Sequence, residues 1–143
     1  MPFRLVIPGS LHDAMVAQAV AELPNECCGL LAGTIEPGEP PIGHVVERYP
    51  LVNALLSPTA FESEPGSLLA AHKDMRERGL EVLAIYHSHP TSDPVPSKTD
   101  LARNYWPGVM CLIISLKTES AMVRGWLLQE KDFREAEWSS VPW

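Results

Sequence analysis

The chain has 143 residues, which suits one domain at roughly 100–200 residues apiece and is enough to bury a core without disulfide staples. Its 11 Lys and Arg against 18 Asp and Glu leave a formal net charge of −7, and the acidic residues are scattered, so there is no basic footprint of a dedicated nucleic-acid binder. A composition 45% hydrophobic and 20% charged excludes a disordered chain, and no apolar run approaches the roughly 20 residues that cross a bilayer.

Phe3 to Ile7 reads as a short strand. Ser10, with Asp13 three residues on, resembles a capping box for a helix in which Leu11, Met15 and Ala19 share a side and which Pro24 ends. Cys27 to Ile35, small and apolar, reads as a buried strand, and Ile42 to Leu51 as its hairpin partner across a wide PGEPP connection. Residues 52–64 lack a period and read as a surface loop with a short extended piece at Phe61. Pro65 suits the first turn of a helix with Leu68, His72 and Met75 on one face and Gly79 at its stop. Leu80 to His89 is a strand carrying Leu83, Ile85, His87 and His89 on one side and Val82, Ala84, Tyr86 and Ser88 on the other. A proline-rich loop then leads to a short helix from Ser97 to about Tyr105. An apolar strand from Gly108 to Leu116 follows, with its partner from Ala121 to Leu128 and a tail able to add an edge strand. This mixture predicts a single α/β domain over residues 1–143, a mixed central sheet flanked by helices.

The three cysteines, Cys27, Cys28 and Cys111, are odd in number and two are adjacent, so no intramolecular disulfide framework is expected. The opening MPFRLVIPGS meets a proline and polar residues too soon for a secretory signal. A soluble, cytoplasmic protein is the expectation, with no nucleic-acid or membrane partner.

The strongest chemical signal is His87-Ser88-His89-Pro90 followed by Ser97 and Asp100. Residues two apart on a strand face the same way, so both imidazoles can reach one cation near the strand's solvent end, and a carboxylate on the next helix completes three protein ligands. Two His, one Asp and an open position form the ligand set of a catalytic zinc site, whereas a structural site is closed by four side chains. A metal-bound water needs a base nearby that does not itself ligate. Glu26, just before the strand at 27–35, is the candidate, although spacing alone also admits Glu22, Glu62, Glu64 or Asp93.

Ordinary structural roles account for several other residues. Ser97-x-x-Asp100 is a capping pattern in its own right and is compatible with ligation. Cys27 and Cys28 have apolar neighbours and no second pair at ligand spacing, so they read as buried strand thiols. His12 and His44 stand alone, His72 reads as packing, and the widely spaced Trp106, Trp126, Trp138 and Trp143 form no stacking platform.

Together these residues resemble the JAMM (MPN-plus) metallopeptidases, whose pattern is an early Glu, then His-[Ser/Thr]-His-Pro, six residues, Ser, two residues and Asp. Glu26, His87-Ser88-His89-Pro90, TSDPVP, Ser97 and Asp100 reproduce it without gap or substitution. PNECCGLLAG around Glu26 and GLEVLAIYHSHP look like segments of small bacterial members, as do Asn53 and, more loosely, the FESEP stretch with Ser63 and Glu64; the tail after Gln129 matches no motif. The resemblance implies a fold related to cytidine deaminases. It also implies one zinc per chain held by His87, His89 and Asp100, with Glu26 as the base that later protonates the leaving amine and Ser97 as donor to the developing oxyanion. It implies hydrolysis of an amide or isopeptide bond after the C-terminal glycine of a ubiquitin-like protein. For a core this short, the implied partner is a sulfur carrier with a Gly-Gly tail that bears a C-terminal cysteine or short extension, gripped between the loops at 52–64 and 91–96. A non-catalytic scaffold is the alternative, since the fold also serves inactive assembly subunits. A nucleobase deaminase is disfavoured because the Pro-Cys-x-x-Cys ligand segment is missing.

Overall fold

The small, apolar run after Cys27 becomes the strand around which the sheet is built. The computed structural model describes residues 3–103 and 108–142. In it β2 (Cys28–Glu36) is buried from Cys28 to Gly33 and pairs antiparallel with β3 (Ile42–Leu51) on one side and β4 (Glu81–His89) on the other. β4 runs parallel to β5 (Met110–Ser115), every residue of which is buried, and β6 (Met122–Leu128) and β7 (Phe133–Ala136) continue antiparallel. Beyond β3, β1 (Arg4–Pro8) and β8 (Trp138–Val141) add in parallel. The mixed eight-stranded order is β7-β6-β5-β4-β2-β3-β1-β8.

Helices cover both faces, as expected. On one, α1 (Gly9–Ala21) buries Met15 and Ala19 in a cluster with Leu5, Ile7, Tyr86 and Leu112; on the other, α2 (Pro65–Arg78) buries Ala71 and Met75 with Leu30, Leu51 and Ile85. The short α3 (Lys98–Ala102) follows the histidine strand. The expected extension of this helix to Tyr105 falls outside the described residues.

The structure corrects several sequence-level expectations. Ser10 and Asp13 form no capping box: β1 runs straight into α1, Pro8 is the N-cap with no side-chain hydrogen bond, and Asp13 is exposed beside His12. The helix ends at Ala21, three residues ahead of Pro24, with Glu22 as its C-cap in the right-handed helical region. The strict alternation expected along β4 also breaks. The β2–β4 register shifts between Leu31 and Ala32, leaving Leu83 opposite no residue and packed with Ala84 and Tyr86 instead of with Ile85. Two expectations hold at α2, where Pro65 opens the helix and Gly79 closes it at φ 66, a left-handed turn that glycine adopts without strain. Its actual N-cap is Glu64, whose carboxylate accepts from the Gly66 and Ser67 N–H groups at 2.7 Å each.

The tail supplies two strands, not one. Ala136 pairs with Gly125 of β6 and Trp138 with Leu5 of β1, although a single residue, Glu137, separates them. The Glu137 carbonyl accepts from the Leu5 N–H at 3.1 Å, so the sheet curls until its two rims meet there. Ala136 and Trp138 both pack against the cluster beneath α1, which is the apolar burial that favours the curl.

Gly33 sits where the β2–β3 register shifts, and a Cβ there would collide with the backbone carbonyl oxygen of His44. Gly33→Ala is expected to lower stability by roughly 1–3 kcal/mol, whereas Gly38→Ala, in the exposed turn, stays within about 0.5 kcal/mol. Denaturant midpoints of the two variants check the contrast.

Candidate metal centre

β4 lies inside the sheet, and its register sets His87 beside Cys28 and Ile113 and His89 beside Ser115, at the strand's C-terminal end. The two Nε2 atoms are 3.2 Å apart. Asp100, in the first turn of α3, brings Oδ1 to 3.2 Å from His87 Nε2 and Oδ2 to 3.0 Å from His89 Nε2. All three side chains are buried. The structure therefore brings together the His, His and Asp that the spacing singled out, as a group able to hold one metal ion.

Neighbouring groups fix the orientation of each member. His89 Nδ1 lies 2.8 Å from the Asp93 carbonyl oxygen, which can only accept, so Nδ1 donates and Nε2 of the neutral ring presents its lone pair to the cluster. His87 Nδ1 faces Cys111 Sγ at 3.9 Å, and the Phe61 ring stacks on the imidazole with centroids 4.7 Å apart. Asp100 is held by the reciprocal box at the start of α3: Ser97 Oγ accepts from its N–H at 3.0 Å while its Oδ2 accepts from the Ser97 N–H at 2.9 Å. Capping and cluster membership thus coexist in one residue.

Burial works against ionising Asp100. The imidazoles of His87 and His89 and the Ser97 N–H nonetheless hold its carboxyl well below the usual carboxylate range. Burial likewise opposes the imidazolium of His89, yet Asp100 and the Asp93 carbonyl shift that ring upward. Such a pocket attracts positive charge. Ligand atoms of a tetrahedral zinc at about 2.0–2.1 Å lie roughly 3.3 Å from one another, and the observed separations of 3.0 and 3.2 Å fit that spacing. Three protein donors, none of them a thiolate, also fit an open site better than a closed one.

Glu26 lies at the edge of this cluster, near enough that the charges of His89 and Asp100 act on it. It is 3% exposed, and its Oε1 is buried without a hydrogen-bond partner. Desolvation pushes its carboxyl from an ordinary 4.5 up to about 8. The other acidic candidates are engaged or exposed. Glu22 accepts from Gln18, Glu64 caps α2, Asp93 accepts from Lys117 Nζ at 3.2 Å, and Glu62 is exposed.

Several supporting residues are given no role by the sequence, although Asn53 and Ser88 fall within the resemblance. Asn53, 2% exposed, donates to the Glu26 carbonyl and the Ala60 carbonyl at 3.0 Å each and accepts from the N–H groups of Leu55 and Glu62. It turns residues 52–64 into a small hairpin, with Asn53 bridging Ser63, instead of the irregular loop expected. Ser88, facing away from the histidines, accepts from the Cys27 N–H at 2.8 Å and ties the segment carrying Glu26 to β4. Trp126 donates to the Pro94 carbonyl at 2.8 Å and anchors the proline-rich loop. Asn53 is a polar residue in an apolar stretch and Ser88 sits inside the histidine motif, whereas nothing in the local sequence marks Trp126. Cys27, Cys28 and Cys111 are free and buried, as expected for Cys27 and Cys28.

Beside His87 and Asp100 opens a small recess of about 30 Å³, lined also by Phe61, Ile85, Thr99, Val109, Cys111, Leu128 and the exposed Arg103.

With this geometry in hand, comparison with known proteins decides the family. Residues 8–129 match the family model for prokaryotic homologs of the JAB domain. The chain belongs to that family. This JAB-domain chain is 33% identical over 117 residues to a desampylase of Haloferax volcanii, covering 78% of this chain and 81% of the relative. It is 34% identical over 115 residues to the CysO-cysteine peptidase of Mycobacterium tuberculosis, covering 80% and 75%. The solution structure of a Desulfitobacterium hafniense protein superposes with a TM-score of 0.86 at 33% identity, over 97% of this chain and 94% of that one. The JAB-domain fold is thus the JAMM/MPN architecture that the motif implied, and no helix among the described residues is long and apolar enough to cross a membrane.

In chelated protein, Glu26 is protonated in the fold up to about pH 8 but ionised in the unfolded chain above about 4.5. Its favourable contribution is complete below 4.5 and is lost as pH rises to 8. Wild-type stability should therefore fall relative to Glu26→Gln across that window, by no more than about 1.4 kcal/mol per pH unit. Parallel urea unfolding of both proteins at a series of pH values measures the difference, and a constant gap would contradict the shift.

Proposed function

We propose that this chain is a zinc-dependent peptidase that hydrolyses the amide or isopeptide bond after the C-terminal glycine of a ubiquitin-like sulfur-carrier protein. The observation that carries the reading is the convergence of His87, His89 and Asp100 beside the buried, unpartnered carboxyl of Glu26. Family membership and the names of the relatives, a desampylase and a CysO-cysteine peptidase, support the substrate class.

His87, His89 and Asp100 would hold the ion. Zinc, when bound, supplies a Lewis acid that acidifies water and polarises a carbonyl. Glu26 moves the proton. A cation nearby offsets the desolvation that otherwise keeps its carboxyl neutral, so the carboxylate can take a proton from the attacking water and return it to the departing amine. Ser97 Oγ accepts the Asp100 N–H with a lone pair and keeps its own proton for donation to the oxygen on which negative charge develops. The hairpin at 52–64 and the loop at 91–96 wall the approach. β4 is flanked by β2 and β5, so a carrier tail cannot extend the sheet next to the histidines and must cross the strand ends between these walls. The three free, buried thiols suit a reducing cytoplasm.

Purified protein is expected to carry about one zinc per chain by elemental analysis, with His87→Ala and Asp100→Asn losing both metal and cleavage. Glu26→Gln should keep the metal and lose about 10²–10⁴-fold in rate. The assay is release of the C-terminal extension from a sulfur carrier, followed by mass spectrometry. Full activity in excess chelator would refute the reading, and unaltered cellular function of zinc-loaded Glu26→Gln would favour a scaffold.

A further inference from the structure

The carboxyl of Glu26 is 3% exposed and receives no hydrogen bond at Oε1 among the described residues, so its place is set largely by the backbone that carries it. One element holds that backbone on both sides of residue 26. The Glu26 N–H donates to the Ser57 carbonyl at 2.8 Å, and the Glu26 carbonyl accepts from Asn53 Nδ2 at 3.0 Å. Both partners belong to the hairpin at 52–64, which also lays Phe61 on the His87 imidazole with centroids 4.7 Å apart. A single piece of chain therefore spaces the base residue against one of the three converging side chains.

Asn53 is the joint of this arrangement. Its Nδ2 also donates to the Ala60 carbonyl at 3.0 Å, and its Oδ1 accepts from the N–H groups of Leu55 and Glu62 at 3.0 and 3.1 Å. A primary amide offers two N–H donors and an oxygen with two lone pairs, and here every one of them is used on a residue 2% exposed. Aspartate could accept both N–H groups but could donate to neither carbonyl. Turning the hairpin needs only the bonds to residues 55, 60 and 62. The fourth bond leaves the hairpin and ends on the peptide of Glu26.

We propose that Asn53 is a positioning residue that sets the reach of Glu26 toward the His87, His89 and Asp100 group. The inference rests on the peptidase reading and adds that the hairpin walling the carrier tail is also the mount of the base. A side chain so buried cannot touch the carrier, so its contribution falls on the chemical step and not on binding.

The test compares zinc-loaded full-length native protein, Asn53→Asp, Glu26→Gln and the double variant on a sulfur carrier with a C-terminal extension. Urea unfolding establishes that each is folded under the assay conditions. Asn53→Asp should keep about one zinc per chain and lose roughly 10- to 100-fold in kcat, the scale of a misplacement on the order of 1 Å, with KM changed by less than about threefold. In single turnovers at high enzyme concentration, adding Asn53→Asp to Glu26→Gln should cost less than about threefold more, because the group it positions is already gone. Losses that multiply in the double variant, a loss carried by KM, or loss of zinc overturns the positioning role while the peptidase reading stands. Should Asn53→Asp not fold, Asn53→Ala takes its place without a buried charge, and loss of fold in both assigns Asn53 to stability alone and overturns the proposal. Zinc-loaded native protein that leaves the carrier intact overturns the peptidase reading and this inference with it.

Discussion

Everything in this molecule depends on holding two imidazoles and a carboxylate within 3.2 Å of one another in a place that water scarcely reaches. Left to themselves, lone pairs so close would repel and seek solvent. The fold prevents escape by giving each outer atom a partner that suits its inward-facing state: a backbone carbonyl for His89, a thiol and an aromatic face for His87, and a helix N-terminus for Asp100. Their proximity is imposed by strand geometry and one short loop, so the three groups able to hold a cation cannot relax apart.

That imposition reaches well beyond the ligands. The loop between His89 and Ser97 is stiffened by prolines and anchored by Trp126 and by Ser115, which donates to the Ser92 carbonyl. Residue 26 precedes β2, and Asn53 and Ser88 secure that segment through the Glu26 carbonyl and the Cys27 N–H. The carboxyl on that segment is buried with one oxygen left without a partner, at the expense of local stability.

Much of the site was legible in the sequence because its logic is local. His87 and His89 share a face through the two-residue strand period, and Ser97 and Asp100 obey the spacing of a helix start. Glu26 could be separated from Glu22, Glu62, Glu64 and Asp93 only by resemblance, since its burial depends on Asn53 and Ser88, far off in the chain. The slip at Leu83 escaped notice for a related reason. A bulge in the middle of an apolar run changes which face a residue serves without altering composition. Phe61, Cys111 and Arg103 come from three segments whose meeting is purely tertiary, and no pattern in any one of them announces the recess they share.

The single residue between β7 and β8 carries a mechanical consequence. Rim strands are normally where a sheet frays first, each on its own account. Here Ala136, Glu137 and Trp138 rivet one rim to the other, so neither β6 nor β1 can peel away without dragging its counterpart. The match to the family model ends at residue 129, ahead of this rivet. The stretch that bears no motif is therefore the clasp of a hoop, and the chain's two ends share one fate on unfolding.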